Sequence, residues 1–189
     1  LVDFLFVPVG GGGLSAGVGL FFKTFSPDTT IIGVEPEGAP SMYEALKAGH
    51  PVELENIERF VDGAAVKKEG DITFPICKEV LDDMHLVPEG KVCTAILKLY
   101  NEDAIVAEPA GALSIAALSD YSASFCWNTF LCIICAGIYD IFRMQDIKQL
   151  SLLYDVFKHS FFILFALIPC ALQSFLLHFI HPISYFPLF

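Results

Sequence analysis

Blocks of unbroken apolar residues alternate along this chain with stretches in which apolar positions recur every three or four residues. Residues 4–9, Phe4-Leu5-Phe6-Val7-Pro8-Val9, are apolar on both faces and predict a buried parallel strand. Residues 14–25 predict a helix, stopped by Ser26-Pro27. A second strand is expected over Ile31-Ile32-Gly33-Val34. Ser41-x-x-Glu44 has the form of a capping box and opens a short helix that should stop at Gly49. Residues 52–66 show no clear period, and Val61-Asp62-Gly63 has turn chemistry. Further on, residues 76–82 predict a helix and residues 85–87 a short strand. In residues 91–100, Val92, Ala95, Ile96 and Leu99 keep a helical period. Glu108-Pro109-Ala110-Gly111 opens an alanine-rich helix over residues 112–118, and residues 130–134 predict another buried strand. Strands alternating with helices define an α/β fold with a parallel sheet and flanking helices.

In such sheets ligands sit beyond the carboxyl ends of the strands. Gly10 to Gly13, Glu35 and Cys135 all fall at predicted strand ends, so the fold should gather them around one crevice. Gly10-Gly11-Gly12-Gly13 is the strongest chemical signal. Four residues without side chains, placed between a strand and a helix, leave backbone N–H groups bare at a helix N-terminus, where an anion is favoured. Three readings compete. A nucleotide P-loop needs Lys-Ser/Thr after its last glycine, and Val18-Gly19 stands there instead. A dinucleotide turn fits Gly11-x-Gly13-x-x-Ala16, with Glu35 where a ribose-binding carboxylate would lie. A compact nest of adjacent glycine amides suits the phosphate monoester of pyridoxal 5'-phosphate.

Charge changes the picture in one respect. The formal net charge is −11, which argues against nucleic acid as a partner. It is carried by residues 1–121, with 8 Lys+Arg against 19 Asp+Glu; residues 122–189 hold 3 of each. That second region is crowded with phenylalanine. Residues 161–180 are long and apolar enough to raise a membrane anchor as an alternative, although Pro169, Gln173 and His178 interrupt them. Among the 6 cysteines, Cys132 and Cys135 form a C-x-x-C without a second pair. Buried reduced thiols in a cytoplasmic chain account for it best. The 5 histidines have no metal spacing.

Several stretches, taken in order, resemble the threonine dehydratase family of fold-type II pyridoxal-phosphate enzymes. They are Val7-Pro8-Val9-Gly10-Gly11-Gly12-Gly13-Leu14, Ile32-Gly33-Val34-Glu35-Pro36-Glu37-Gly38-Ala39, Phe60-Val61-Asp62-Gly63-Ala64-Ala65-Val66 and Ile105-Val106-Ala107-Glu108-Pro109-Ala110-Gly111-Ala112. Leu131-Cys132-Ile133-Ile134-Cys135-Ala136-Gly137-Ile138 is similar more loosely. The resemblance implies a tryptophan synthase β-like fold, here incomplete. Residues 1–150 would be the C-terminal part of the catalytic domain, and residues 151–189 a degenerate start of an ACT-like regulatory domain. It implies pyridoxal 5'-phosphate as cofactor, its phosphate held by Gly10, Gly11, Gly12, Gly13 and Leu14, with Cys135 facing the pyridine nitrogen. It implies L-threonine or L-serine as substrate, a homo-oligomer, and, for threonine, elimination to 2-oxobutanoate and ammonia in isoleucine biosynthesis. The family's lysine that bonds the cofactor's aldehyde belongs to a segment upstream of the glycine loop. None of Lys23, Lys47, Lys67, Lys68, Lys78, Lys91 or Lys98 has that context, so the chain is expected to be inactive alone.

Overall fold

A computed structural model describes residues 2–124, 128–135 and 144–166, with side chains described as far as residue 155 in the last stretch. At its centre is a parallel sheet of β1 (Phe4–Pro8), β2 (Thr30–Pro36), β3 (Asp83–Val87) and β4 (Phe130–Cys132), in the order β3-β2-β1-β4. β1 is fully buried from Leu5 to Pro8 and lies between β2 and β4. Phe4 pairs with both Thr30 and Phe130, and Val9 N–H continues the ladder to Val34 O at 2.9 Å.

Side chains alternate across the sheet as a pleated strand requires. On one face Leu5, Val7 and Ile31 pack beneath α1 (Gly13–Phe25), with Val18 and Phe22 on that helix. Val9 continues this side toward α2 (Ser41–Ala48) and α3 (Thr73–Val80), through Met42, Ala45, Phe74 and Cys77. On the other face Phe6, Ile32 and Val34 meet α4 (Glu89–Asp103) and α5 (Pro109–Leu118) in the larger core, where Val92, Ile96 and Leu113 are buried. The outermost layer is α6 (Met144–Ala166). Its Ile147 is completely buried, and its Ser151 hydroxyl lies 2.9 Å from Thr94 Oγ1 of α4. Glycine permits two close approaches between elements: a Cβ on Gly19 would meet Val80 at 2.3 Å, and one on Gly90 would meet Tyr154 at 2.5 Å.

The α/β reading with its parallel sheet holds, and the predicted helices and strands are present with shifts of a few residues at their ends. Two expectations are corrected. Ser41 and Glu44 do not form a capping box: Pro40 occupies the N-cap of α2 with no side-chain cap bond, and the cap comes from β2 instead, as described below. β4 is not a strand buried on both faces. It is the edge of the sheet among the described residues, with Leu131 39% exposed and Cys132 and Cys135 half-buried. The last helix, α6, runs unbroken through Leu150 and Ser151.

Candidate active site at the sheet's switch point

Strand order reverses beside β1: the chain moves outward from β1 to β2 and β3, then returns to place β4 on β1's other side. A crevice opens at the carboxyl ends flanking such a reversal, and ligands bind there. The two segments that leave those ends are the glycine loop after β1 and the stretch to Cys135 after β4. Their registers keep them level, because Phe6 pairs with Cys132 and Ile133 N–H donates to Phe6 O at 3.1 Å.

The loop is held from behind and open in front. Gly12 sits at the N-cap of α1 with φ 86°, a conformation that L side chains rarely adopt. A Cβ there would lie 2.8 Å from Met42 Cε and 2.9 Å from Thr73 Oγ1. The Gly12 carbonyl accepts bonds from Ala16 N–H at 2.9 Å and Ser15 Oγ at 3.2 Å. The Gly11 carbonyl is held by Gly70 N–H at 3.2 Å and by the Thr73 hydroxyl. With the carbonyls engaged behind it, the loop presents Gly11 and Gly13 outward; both are exposed, and nothing lies within 4 Å of a Cβ built on either. Gly13 and Leu14 open α1, so their amides have no partner within the helix, and the positive end of its dipole lies at the same place. This cradle has the chemistry of a phosphate site.

A chain of close approaches links the loop to the other singled-out stretches. A Cβ on Gly10 would stand 3.1 Å from Ala64 Cα and 3.3 Å from Gly63 O. Residues 61–64 form the expected turn, with Ala64 N–H bonded to Val61 O at 3.0 Å. A Cβ on Gly63 would meet Ala110 Cβ at 2.9 Å and Glu108 Oε1 at 3.3 Å. Glu108 is the N-cap of α5, but its carboxylate makes no cap bond. Burial first and then the Asp62 charge push its carboxyl upward. One turn on, a Cβ at Gly111 would fall 1.9 Å from Cys135 O, so only glycine lets the segment after β4 pass over α5. The Ser114 hydroxyl pins that segment by donating to Ile133 O at 2.5 Å. Burial, then the Glu108 charge, raise the Cys135 thiol above its usual range. Cys135 therefore stays protonated at neutral pH and can donate a weak S–H hydrogen bond.

Glu35 does not join this crevice. It is 0% exposed and turned under α2, where its carboxylate accepts the amides of Met42 at 2.8 Å and Tyr43 at 2.9 Å. It caps that helix and cannot present a carboxylate to a ribose, which removes the dinucleotide reading's second residue. Gly111, Ser114 and Thr73 are the positions that the sequence reasoning missed. A glycine just inside a predicted helix was the available signal for the first.

The lysines with described contacts are engaged elsewhere. Lys23 pairs with Asp82 at 2.7 Å and Lys68 with Asp71 at 3.1 Å, while Lys91 meets Asp120. Lys67 and Lys78 reach the carbonyls of Glu55 and Gly49, and Lys47 lies over the Tyr43 ring. Among the described residues no His/Cys/Asp/Glu group could hold a metal, and no helix is long and apolar enough to cross a membrane. Residues 167–180 of the anchor alternative lie outside the described residues.

A parallel sheet with a glycine loop opening a helix at its switch point is a class of site suited to a phosphorylated ligand. Residues 1–135 match the family of pyridoxal-phosphate dependent enzymes, and the chain belongs to it. It is 52% identical over 181 residues to a biosynthetic L-threonine dehydratase of Halalkalibacterium halodurans, an alignment covering 96% of this chain and 44% of that protein. Against the Bacillus subtilis biosynthetic L-threonine dehydratase it is 54% identical over 173 residues, covering 92% of this chain and 41% of that one. The solved structure of processed threonine deaminase isoform 2 from Solanum lycopersicum superposes with a TM-score of 0.76 at 39% identity, covering 80% of this chain and 42% of that chain. The chain thus spans less than half the length of these relatives.

Proposed function

We propose that this chain is the C-terminal part of a pyridoxal-phosphate dependent threonine ammonia-lyase, converting L-threonine to 2-oxobutanoate and ammonia in isoleucine biosynthesis. L-serine is the alternative substrate. The observation that carries the reading is the glycine cradle. Its carbonyls are tied back by Gly70, Thr73, Ser15 and Ala16, and open space lies where a side chain at Gly11 or Gly13 would go. Gly10, Gly11, Gly12, Gly13 and Leu14 would hold the cofactor's phosphate, and the protonated Cys135 thiol would face its pyridine nitrogen. A neutral donor there leaves the ring less protonated than a carboxylate would, which suits elimination. When bound, the cofactor supplies an electron sink for loss of the α-proton. The residues described here bind and orient it, and we assign no lysine of this chain to its aldehyde.

Residues 1–150 belong in this reading to the catalytic domain and residues 151–189 to the start of an ACT-like regulatory domain. Similarity to the dehydratases supports an extension beyond residue 135, since the alignment covers 96% of the chain. The working enzyme would be a cytoplasmic homo-oligomer.

The test is titration of pyridoxal 5'-phosphate with the chain, followed by ³¹P NMR, against a Gly11→Asp variant. The position has open space, so the fold should survive, while the added carboxylate repels the phosphate. Affinity should fall about tenfold or more, a coupling of about 1.4 kcal/mol, with circular dichroism unchanged. Equal binding by both proteins would show that the phosphate lies elsewhere.

A further inference from the structure

One side of α3 grips the carbonyls of the glycine loop. Gly70 lies just before that helix, Thr73 opens it and Cys77 follows one turn later, a spacing of three and four residues that places neighbours on one helix face. Gly70 N–H donates to Gly11 O at 3.2 Å, the Thr73 hydroxyl donates to the same carbonyl, and the Cys77 thiol donates to Gly12 O at 3.5 Å. Thr73 and Gly11 are 62 residues apart in the chain, so the loop's shape is set from outside its own sequence.

The two carbonyls differ in how they are held. Gly12 O also accepts Ala16 N–H at 2.9 Å and the Ser15 hydroxyl at 3.2 Å, so it stays engaged if one donor is lost. Gly11 O accepts the Gly70 amide and the Thr73 hydroxyl, and of these two donors only the hydroxyl belongs to a side chain. That hydroxyl has a single proton. Two carbonyls lie within its reach, Gly11 O and, at 3.1 Å, Gly70 O, and Gly11 O is the nearer. No peptide bond of the described residues is cis, and a trans peptide directs its N–H opposite to its C=O. Drawing Gly11 O onto α3 therefore turns the Gly12 N–H away from α3.

We propose that Thr73 is a positioning residue of the phosphate cradle: by holding Gly11 O against α3, its hydroxyl aims the Gly12 N–H at an oxygen of the bound phosphate. This role rests on the proposed phosphate site. Thr73 acts through the backbone and touches no ligand itself. Its side chain has a second function, since a Cβ on Gly12 would stand 2.9 Å from Thr73 Oγ1 and 3.0 Å from Thr73 Cβ, so threonine also fills the space behind the loop. The two functions separate by substitution. Valine keeps the volume and loses the donor; serine keeps the donor and loses a methyl group.

The test is a ³¹P NMR titration of the 189-residue chain with pyridoxamine 5'-phosphate, which carries the same phosphate and no aldehyde to react with lysine. Thr73→Val should weaken binding about threefold to tenfold, the worth of one hydrogen bond, and Thr73→Ser should restore it to within about twofold of wild type. In ¹⁵N–¹H spectra of the wild type, the Gly12 amide proton should move downfield on binding, and the movement should shrink in Thr73→Val. Equal affinity of wild type and Thr73→Val overturns the proposal. So does a Thr73→Ser variant as weak as Thr73→Val, because threonine would then serve by its volume alone. A wild-type Gly12 resonance that the bound ligand leaves in place overturns it as well, and that measurement needs no variant to fold. If the wild type binds no pyridoxamine 5'-phosphate, the phosphate reading of the loop falls and takes this role with it; the other adverse outcomes leave that reading standing.

Discussion

At Gly12 the backbone is left-handed, with φ 86°, and the space where a side chain would go is filled by Met42 and Thr73. At Gly13, the next residue, the space is open. The two positions are equivalent in the sequence, as members of one glycine run, but not in the fold. Gly12→Ala should cost about 2 kcal/mol or more, from the strained φ and the displaced Thr73, whereas Gly13→Ala should change stability by about 0.5 kcal/mol or less. Urea denaturation midpoints of the two variants check this, and similar losses at both would contradict the assigned conformation. The sequence showed that the run is a loop before a helix. It could not show which glycine is obligatory, because that depends on α2 and α3, which arrive from elsewhere in the chain. Glu35 is the same kind of case. Its place at a strand end was legible, but the direction of its side chain, toward α2 rather than into the crevice, is set by the Ser41 hydroxyl and the Met42 and Tyr43 amides, which only the folded chain brings to it.

Individual elements were legible where the period was strong, and misread where a neighbour decides the outcome. Phe4-Leu5-Phe6-Val7 is apolar on both faces and is covered on both faces. Phe130-Leu131-Cys132 carries a similar pattern, but in the described residues it is an edge, so Leu131 stays partly exposed. No helix was expected from the residue pattern of 144–150, the start of α6. Its polar positions Gln145, Lys148 and Gln149 alternate with apolar ones without the flanking glycine and proline signals that mark the earlier helices. It is nevertheless anchored: Ile147 is 0% exposed in the core, and Ser151 meets Thr94. Ile147→Ala should therefore cost about 2–4 kcal/mol through lost burial and the cavity left behind. Leu152, 56% exposed on the same helix, should tolerate alanine within about 0.5 kcal/mol. Thermal unfolding of both variants measures the contrast. A small effect at Ile147 would mean that α6 is not an integral layer of this fold.

Across the whole molecule, acidic groups outnumber basic ones, and the excess is concentrated in the residues that build the sheet and its helices. Residues 1–121 carry −11, the entire net charge of the chain. The ion pairs among the described residues there are few, and each has an exposed carboxylate: Lys23 with Asp82, Lys68 with Asp71, and the Asp120 node shared by Lys91 and His85. Exposed pairs contribute about 0–1 kcal/mol each, and salt screens them. Self-repulsion among unpaired carboxylates is screened by the same salt, but it acts in the opposite direction on stability. The balance depends on which population is larger. With 19 acidic against 8 basic residues in this region, repulsion should dominate. Raising sodium chloride from about 0.05 M to about 0.5 M shortens the Debye length severalfold and should raise the melting temperature by a few degrees at neutral pH. The gain should shrink as the pH is lowered toward the carboxylate range and the charge imbalance is titrated away. A melting temperature that falls with salt would mean that the few ion pairs, above all the Asp120 node joining β3, α4 and the 3-10 turn over Ser119–Ser124, outweigh the repulsion of all the other carboxylates together.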